Sequence, residues 1–420
     1  MKRRIITALS LLPFAAMAGG FQIPQQSIKA TGLGGAFTGV CSDAASVFYN
    51  PAGMCNLFGQ NFTVAGVGLF PYVSVLTPDN VNTDATAKVF TPMEIYYSGQ
   101  FCDKLRIGLS VNNQFGSAAS YPDQWEGMYI VQTIKLQTFM FQPTVAYQIC
   151  PKLSVGAGFV YTLGTFDAMK GIPVSSETTN NGEANIDGNG HAFGYNVGLF
   201  SKIFEHHGDS NKWSDIIQLG ASYRSGLPFT VPNGTASFSQ IPASLVSQFP
   251  ASEGFSTNVN LPGVLSAGVA FKFSKANWDF MVAYDFNYTF WSTYDSLHFS
   301  FANPNTPTAS YIYGWKNATA HRMGIEATYK KKYTLRAGYY IDGSPIPDGS
   351  VSPEVVDATN SGFSLGASYK CCSKLSVDFA YLRSDFTRNN ASWAAEGFTA
   401  SYHRIVNVFG LGVNYSINKK

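Results

Sequence analysis

Three arginines are the side chains of this sequence best suited to holding an anion. Arg224, Arg322 and Arg336 each fall on the polar side of a segment whose apolar residues recur with period two. A guanidinium can grip a carboxylate through two parallel hydrogen bonds. The plainer alternative is that each pairs with a carboxylate of the protein itself. The other reactive side chains form no comparable set. His191, His206, His207, His298, His321 and His403 share no motif with the abundant Ser and Asp, so no enzyme chemistry is expected. The six cysteines lack metal-template spacing, and neither a metal nor another cofactor is expected. Cys41 and Cys55 could pin the opening stretch to itself, whereas Cys102, Cys150, Cys371 and Cys372 fall at strand junctions.

The elements that carry the arginines are strands. Leu153, Val155, Ala157, Phe159, Tyr161 and Leu163 alternate with small or polar residues, as do Ile217, Leu219, Ala221 and Tyr223, and Tyr333, Leu335, Ala337, Tyr339 and Ile341. Such alternation gives each strand one apolar face and suits either a soluble sandwich or a membrane barrel. Two features favour the barrel. Tyr and Phe crowd the segment ends, where interfacial girdles sit. Short junctions (101–104, 149–152, 274–276, 330–332, 370–374) also alternate with long polar ones (167–190, 227–258, 292–317, 343–361, 388–401), as periplasmic turns alternate with outer loops. The count is about fourteen strands, an all-β antiparallel transmembrane barrel wide enough to leave a lumen. Residues 19–58, rich in Gly, Ala and Ser and lacking either period, read as a plug within that lumen, and residues 59–420 as the barrel.

Composition agrees with this placement. Residues 1–18 have a basic start, an apolar centre and a small-residue end, the layout of a cleaved secretory signal. Aromatic residues make up 15% of the chain and charged residues 13%, about half the usual charged share. A net charge of +2 gives nucleic-acid binding no support.

The motifs GGFQIPQQSIKATGLGGAF and DAASVFYNPAGM resemble the hatch segment of the FadL-type outer-membrane transporters of long-chain fatty acids and hydrocarbons (OMPP1/FadL/TodX). LPGVLSAGVAF, WDFMVAYDFNYTFWSTY and YTLRAGYYIDGSPIPDG are similar to the same family, in order along the chain. The resemblance implies a fourteen-stranded barrel with an N-terminal hatch in the outer membrane of a Gram-negative bacterium. It implies passive uptake of a hydrophobic molecule, long-chain fatty acids first, with a general porin or a structural surface barrel as the alternative. It places Asn50, Pro51, Ala52 and Gly53 in the hatch motif, Phe21 and Lys316 near the ligand, and Phe115 and Gly116 where the family's wall opens sideways. Gln114 stands where the family often has Pro, and Asn418 to Lys420 follow where such barrels commonly end on an aromatic residue. The expected partners are the hydrophobic ligand, outer-membrane lipid and lipopolysaccharide, and the barrel-assembly machinery; the protein is expected to be a monomer. Capture is expected at the aromatic outer loops 167–190 and 227–258.

Overall fold

The structure, a computed structural model, describes residues 20–86, 88–174, 181–206, 208 and 213–417. The expected signal and its junction, and the tail after Ile417, lie outside these residues. Helix α1 (Ile28–Gly32), helix α2 (Ser46–Tyr49) and a 3-10 turn (Pro51–Asn56) come first. Strands β1 (Gln60–Leu76), β2 (Asn82–Asp84), β3 (Met93–Gln100), β4 (Leu105–Asn112), β5 (Gly116–Ser120), β6 (Thr133–Cys150) and β7 (Leu153–Ile172) follow. Next are β8 (Gly182–His206), β9 (Ser214–Arg224), β10 (Leu227–Ser239), β11 (Ser252–Leu261), β12 (Val264–Lys275), β13 (Trp278–Thr289) and β14 (Ser296–Phe301). The chain ends with β15 (Ala309–Ile312), β16 (Ala318–Tyr329), β17 (Tyr333–Asp342), β18 (Asn360–Lys370), β19 (Leu375–Trp393) and β20 (Phe398–Ile417).

Fourteen of these strands close one antiparallel ring, in the order β1, β3, β4, β6, β7, β8, β9, β12, β13, β16, β17, β18, β19 and β20, with β20 returning to β1 from Gln60↔Ile417 to Leu76↔Ser401. The faces of the ring are inverted relative to a soluble protein. Val64, Leu109, Val145, Phe159, Ile325, Leu335, Leu365 and Leu411 point outward and are exposed. Ser110, Asn112, Gln142, Thr162, Asn196, Gln218, Ser364 and Asp378 point inward and are buried. An outward apolar band is stable only against lipid, so the sandwich reading falls.

The short junctions are where the sequence places them, and the 343–361 connection is irregular until β18 begins at Asn360. The other long junctions need correction. Strands β7 and β8 stay paired out to Ile172↔Gly182, which leaves far less than 167–190 as loop. The 227–258 stretch is mostly the β10–β11 hairpin, 292–317 contains β14 and β15, and β19 and β20 stay paired to Trp393↔Phe398. A spanning strand needs about ten residues, so the 20-residue β7 runs well past the membrane. There the apolar residues turn inward, with Phe166, Phe229, Val231, Ala236 and Phe255 buried, while outward residues such as Asn233 and Thr235 meet water and give the stretch its polar composition.

Residues 20–57 lie inside the ring. Backbone meets backbone where the wall supplies glycine: a Cβ on Gly338 would run into Gly34 N, and one on Gly220 into Thr38 O. Polar wall side chains take up the segment's own backbone groups. Asp285 Oδ2 accepts from Phe37 N at 2.8 Å and Thr38 N at 2.7 Å, and Ser364 Oγ accepts from Gly34 N at 3.0 Å. Gln142 Nε2 donates to Val47 O at 2.7 Å, and Ser222 Oγ to Tyr49 O at 2.8 Å. A segment this short in regular structure needs such partners, because its free N–H and C=O groups are out of water. Cys41 and Cys55 are separate, buried free thiols, so the pairing that the sequence left open is not made. Burial pushes both thiols up. At the end of the lumen opposite the cavity described below, Lys29 Nζ lies 3.4 Å from Asp43 Oδ2 and 4.0 Å from Asp378 Oδ2. Burial disfavours the ammonium, but the two carboxylates outweigh it and hold its pKa above the ordinary lysine value.

Candidate functional site

The wall is interrupted at one place that the sequence marks. Strand β4 ends at Asn112 and β5 begins at Gly116. Against β6, Asn112 faces Met140 while Gly116 faces Gln137, so four steps on one side match three on the other, a bulge in effect. Thr138 Oγ1 fills the broken ladder by donating to Phe115 O at 2.6 Å, and Asn113 Nδ2 donates to Thr138 O at 2.6 Å. On the far side of the break, Phe90 is bridged to Leu69 of β1. The residues before β3 therefore belong to one edge and Asn113–Ala119 to the other. The N-terminal segment takes the space between. Gln22 bridges Phe115, Gly116 N donates to Phe21 O at 3.0 Å, and Ile23 N donates to Gln114 O at 2.8 Å.

Behind this break lies a cavity of about 570 Å³, within the range of small-molecule sites. Phe21, Ile23, Phe90, Phe115, Leu382 and Phe386 supply apolar lining, Arg224, Arg322, Arg404, Lys88 and Lys135 positive charge, and Asp285, Asp342, Glu354 and Asp357 carboxylates. Phe21 is fixed by an aromatic cluster, with ring centroids 4.9 Å from Trp291, 5.2 Å from Tyr294, 5.7 Å from Trp315 and 6.3 Å from Phe115. Edge-on contacts of this kind add to the burial term.

The three arginines separate by partner. Arg322 Nη2 lies 3.0 Å from Asp342 Oδ1, and its Nε donates to Asn287 Oδ1. Arg336 pairs with Glu326 at 2.6 Å and donates to Ser368, and it is outside the cavity. Arg224 is different: Nη2 donates to Phe48 O at 2.7 Å, Nη1 to Gln142 Oε1 at 2.8 Å, and the guanidinium lies 4.2 Å from the Phe48 ring centre. Its partners are neutral, and it is buried and lines the cavity. Lys316, expected near a ligand, is exposed and away from the cavity, its backbone N held by Pro345 O at 2.9 Å. A lysine following the buried Trp315 alternates to the solvent side. The expectation for Lys316 and Arg336 as cavity residues is therefore corrected, while Phe21 and Arg224 are brought together.

Asn50 is fully buried. Its Nδ2 donates to Thr38 O and to Leu199 O of β8, and its Oδ1 caps the 3-10 turn by accepting from Ala52 N. Pro51 opens that turn, and Ser154 Oγ of β7 donates to Ala52 O at 2.9 Å. Gly53 packs on Cys41, whose Sγ fills the space a Cβ would need. Asn50–Gly53 thus bind the segment to β7 and β8. Arg404, Trp291, Tyr294 and Trp315 were not anticipated. Arg404 had a readable signal, since Tyr402, Arg404, Val406 and Val408 alternate onto the inner face of β20; the Trp and Tyr residues lie in junctions, where no period marks an orientation.

Comparison with known proteins agrees with this geometry. Residues 9–417 match the family described as outer membrane protein transport protein (OMPP1/FadL/TodX). A long-chain fatty acid transport protein of Salmonella typhi is 23% identical over 402 residues, covering 90% of this chain and 90% of the relative. The crystal structure of a Pseudomonas aeruginosa FadL homologue superposes with a TM-score of 0.78 at 16% identity, covering 95% of this chain and 100% of the other. That of the P. putida toluene transporter TodX gives 0.74 at 14% identity, covering 93% and 98%. The fold is shared with both structures. With the family match spanning nearly the whole sequence, this chain belongs to the OMPP1/FadL/TodX family of outer-membrane proteins that transport hydrophobic compounds.

Proposed function

We propose that this barrel takes up hydrophobic molecules with an anionic head, long-chain fatty acids first among them, by diffusion without an energy source. The observation that carries the reading is Arg224, a buried cation with neutral partners facing an apolar cavity. An apolar tail gains free energy on leaving water for that lining, and a carboxylate supplies the partner that the guanidinium lacks. Residues 20–57 act as a hatch. Capture begins on the aromatic tips of the outer strands, where Phe238 and Phe249 stack edge to face at 5.4 Å. Withdrawal of Phe21–Ile23 from Gln114–Gly116 then frees the break in the wall, and the ligand leaves sideways into the membrane. Among the described residues, two backbone bonds to the wall and the contacts of the Phe21 ring hold that edge, an amount that ligand contact can offset.

The test is transport into liposomes carrying the purified protein. A fatty acid should enter while small sugars stay out. Free passage of sugars would establish the general-porin alternative and overturn the proposal.

A further inference from the structure

A second site lies apart from the cavity, between the N-terminal segment and strands β3 and β4. Glu94 of β3 is completely buried, and neither carboxylate oxygen has a hydrogen-bond partner among the described residues. Among the same residues it forms no ion pair, and the charge of the N-terminal segment that acts on it, Asp43, has the same sign. Lys29, the cation of the N-terminal segment, is paired with Asp43 and Asp378. An uncompensated buried carboxylate is strongly destabilising and takes up a proton unless something else offsets its charge, so a chain that keeps one ionised has something to set against it.

The surroundings say what that is. Asn112 faces Glu94 across the β3–β4 ladder, and Ser110 faces Tyr96. Asn112 Nδ2 donates to Tyr96 Oη at 3.2 Å, and Tyr96 Oη donates to Gln26 O at 2.7 Å. Gln26 Nε2 donates to Asn113 O at 2.7 Å and Ile23 O at 3.0 Å. The side-chain N–H groups of Asn112 and Gln26 are directed away, and the atoms left without partners among the described residues include Asn112 Oδ1, Gln26 Oε1, Ser110 Oγ, Ser98 Oγ and the two oxygens of Glu94. A water would satisfy acceptors only by its two protons. A hard cation satisfies all of them, since it takes oxygen ligands and nothing else of this set.

We propose that Glu94, Asn112, Ser110 and Gln26 hold an alkali-metal cation. One carboxylate among neutral oxygens balances a single positive charge, whereas calcium sites rely on several carboxylates. Gln26 belongs to the N-terminal segment, and Asn112 is the last residue before the break in the wall. The ion therefore ties the segment to the edge beside which Phe21–Ile23 sits, and its departure loosens that edge. The coupling to wall opening rests on the proposed transport; the ion site does not.

The experiment is hydrogen exchange on the full-length protein in detergent at pH 8, in sodium chloride and in choline chloride of equal ionic strength. At sodium about ten times its Kd, exchange of residues 21–27 should slow about tenfold relative to choline, saturating with sodium, and E94Q should abolish the difference. Equal exchange of the wild type in the two salts, or a sodium response retained in E94Q, would overturn the site. Should E94Q fail to fold, S110A removes one ligand from a small side chain and should raise the sodium midpoint; an unmoved midpoint would overturn the site equally. Exchange reads the ion and not transport, so a barrel that admitted no fatty acid would leave this result as it stands.

Discussion

Replacing Arg224 by Gln separates a ligand-holding cation from a structural one. The side chain has five N–H donors, and its bonds to Phe48 O, Gln142 Oε1 and Met140 Sδ leave others for the cavity. A hydrogen bond between charged groups contributes about 1.5–3 kcal/mol. Because the guanidinium already has neutral acceptors and the cavity opens toward the break, the lower half of that range applies. About 2 kcal/mol corresponds to a loss of about 30-fold in affinity. The assay is displacement of a fluorescent fatty acid from the purified protein, run in parallel with the fatty alcohol of equal chain length. R224Q should weaken the acid about 30-fold and the alcohol less than about threefold. The variant also gives up a contact with the Phe48 ring, so the melting temperature is measured alongside. Equal losses for acid and alcohol would refute the reasoning, because the effect would then come from a disturbed pocket and not from recognition of charge.

Three further outcomes follow from the geometry. Gly338→Val drives a side chain into Gly34 N; overpacking of this kind costs about 1–3 kcal/mol or more, so N-terminal residues 20–57 should unseat and liposomes with the variant should leak raffinose, and an unleaky G338V would mean that these residues do not seal the lumen. Asp357, buried in the 343–359 connection with Ser344, Arg404, the Gly20 N–H and Arg388 around it, has its pKa raised to about 6 by burial; a raised acid binds its proton more readily when folded, so stability grows as pH falls through 6 and the gain is complete below about 4. With the intrinsic pH dependence of amide exchange divided out, protection of residues 343–359 should therefore be greater at pH 5 than at pH 7.5 by about 1.4 kcal/mol, with D357N flat; greater protection at pH 7.5 would reverse the assignment. In reduced native protein, maleimide should label Cys102, Cys150, Cys371 and Cys372, which are exposed, and leave Cys41 and Cys55 until denaturation; mass spectrometry showing early labelling of Cys41 would contradict the packing of Gly53 on its sulfur.

Much of the barrel was legible because lipid imposes a rule that each strand obeys alone. Phe159 and Leu163 must face outward and Val160 and Thr162 inward whatever the neighbouring strands are, so the alternation survives in a single sequence. Beyond the membrane the polarity reverses: Leu227, Phe229, Val231, Phe255, Val259 and Leu261 of the β10–β11 hairpin turn inward, and the polar outward face reads as loop. Residues of the site were legible to different degrees for the same kind of reason. Arg224, Arg322 and Arg336 share one pattern, and only the fold shows that Asp342 and Glu326 are in reach of two of them while the third meets a carbonyl and an amide. Lys316 and the Trp291–Trp315 pair sit in junctions, where a residue's direction depends on tertiary packing.

The polar inner face has a meaning that alternation cannot supply. Asn196, Gln142, Ser222 and Asp285 look like the lining of a water-filled pore, yet each bonds a backbone group of the N-terminal segment. They stand in for a sheet partner that a mostly irregular chain does not have. The distribution of these bonds is uneven: residues 34–52 are held by wall side chains from β7, β8, β9, β13 and β18, whereas Phe21–Ile23 hydrogen-bond the wall through backbone at Gln114 and Gly116. Each buried bond contributes about 1 kcal/mol, and even with the Phe21 ring contacts counted, displacing the middle of the segment would cost more than displacing its first residues. In the proposed transport, the part of the segment with the fewest bonds to the wall is the part that fills the break, and the more tightly bonded remainder would keep the lumen blocked while it moved.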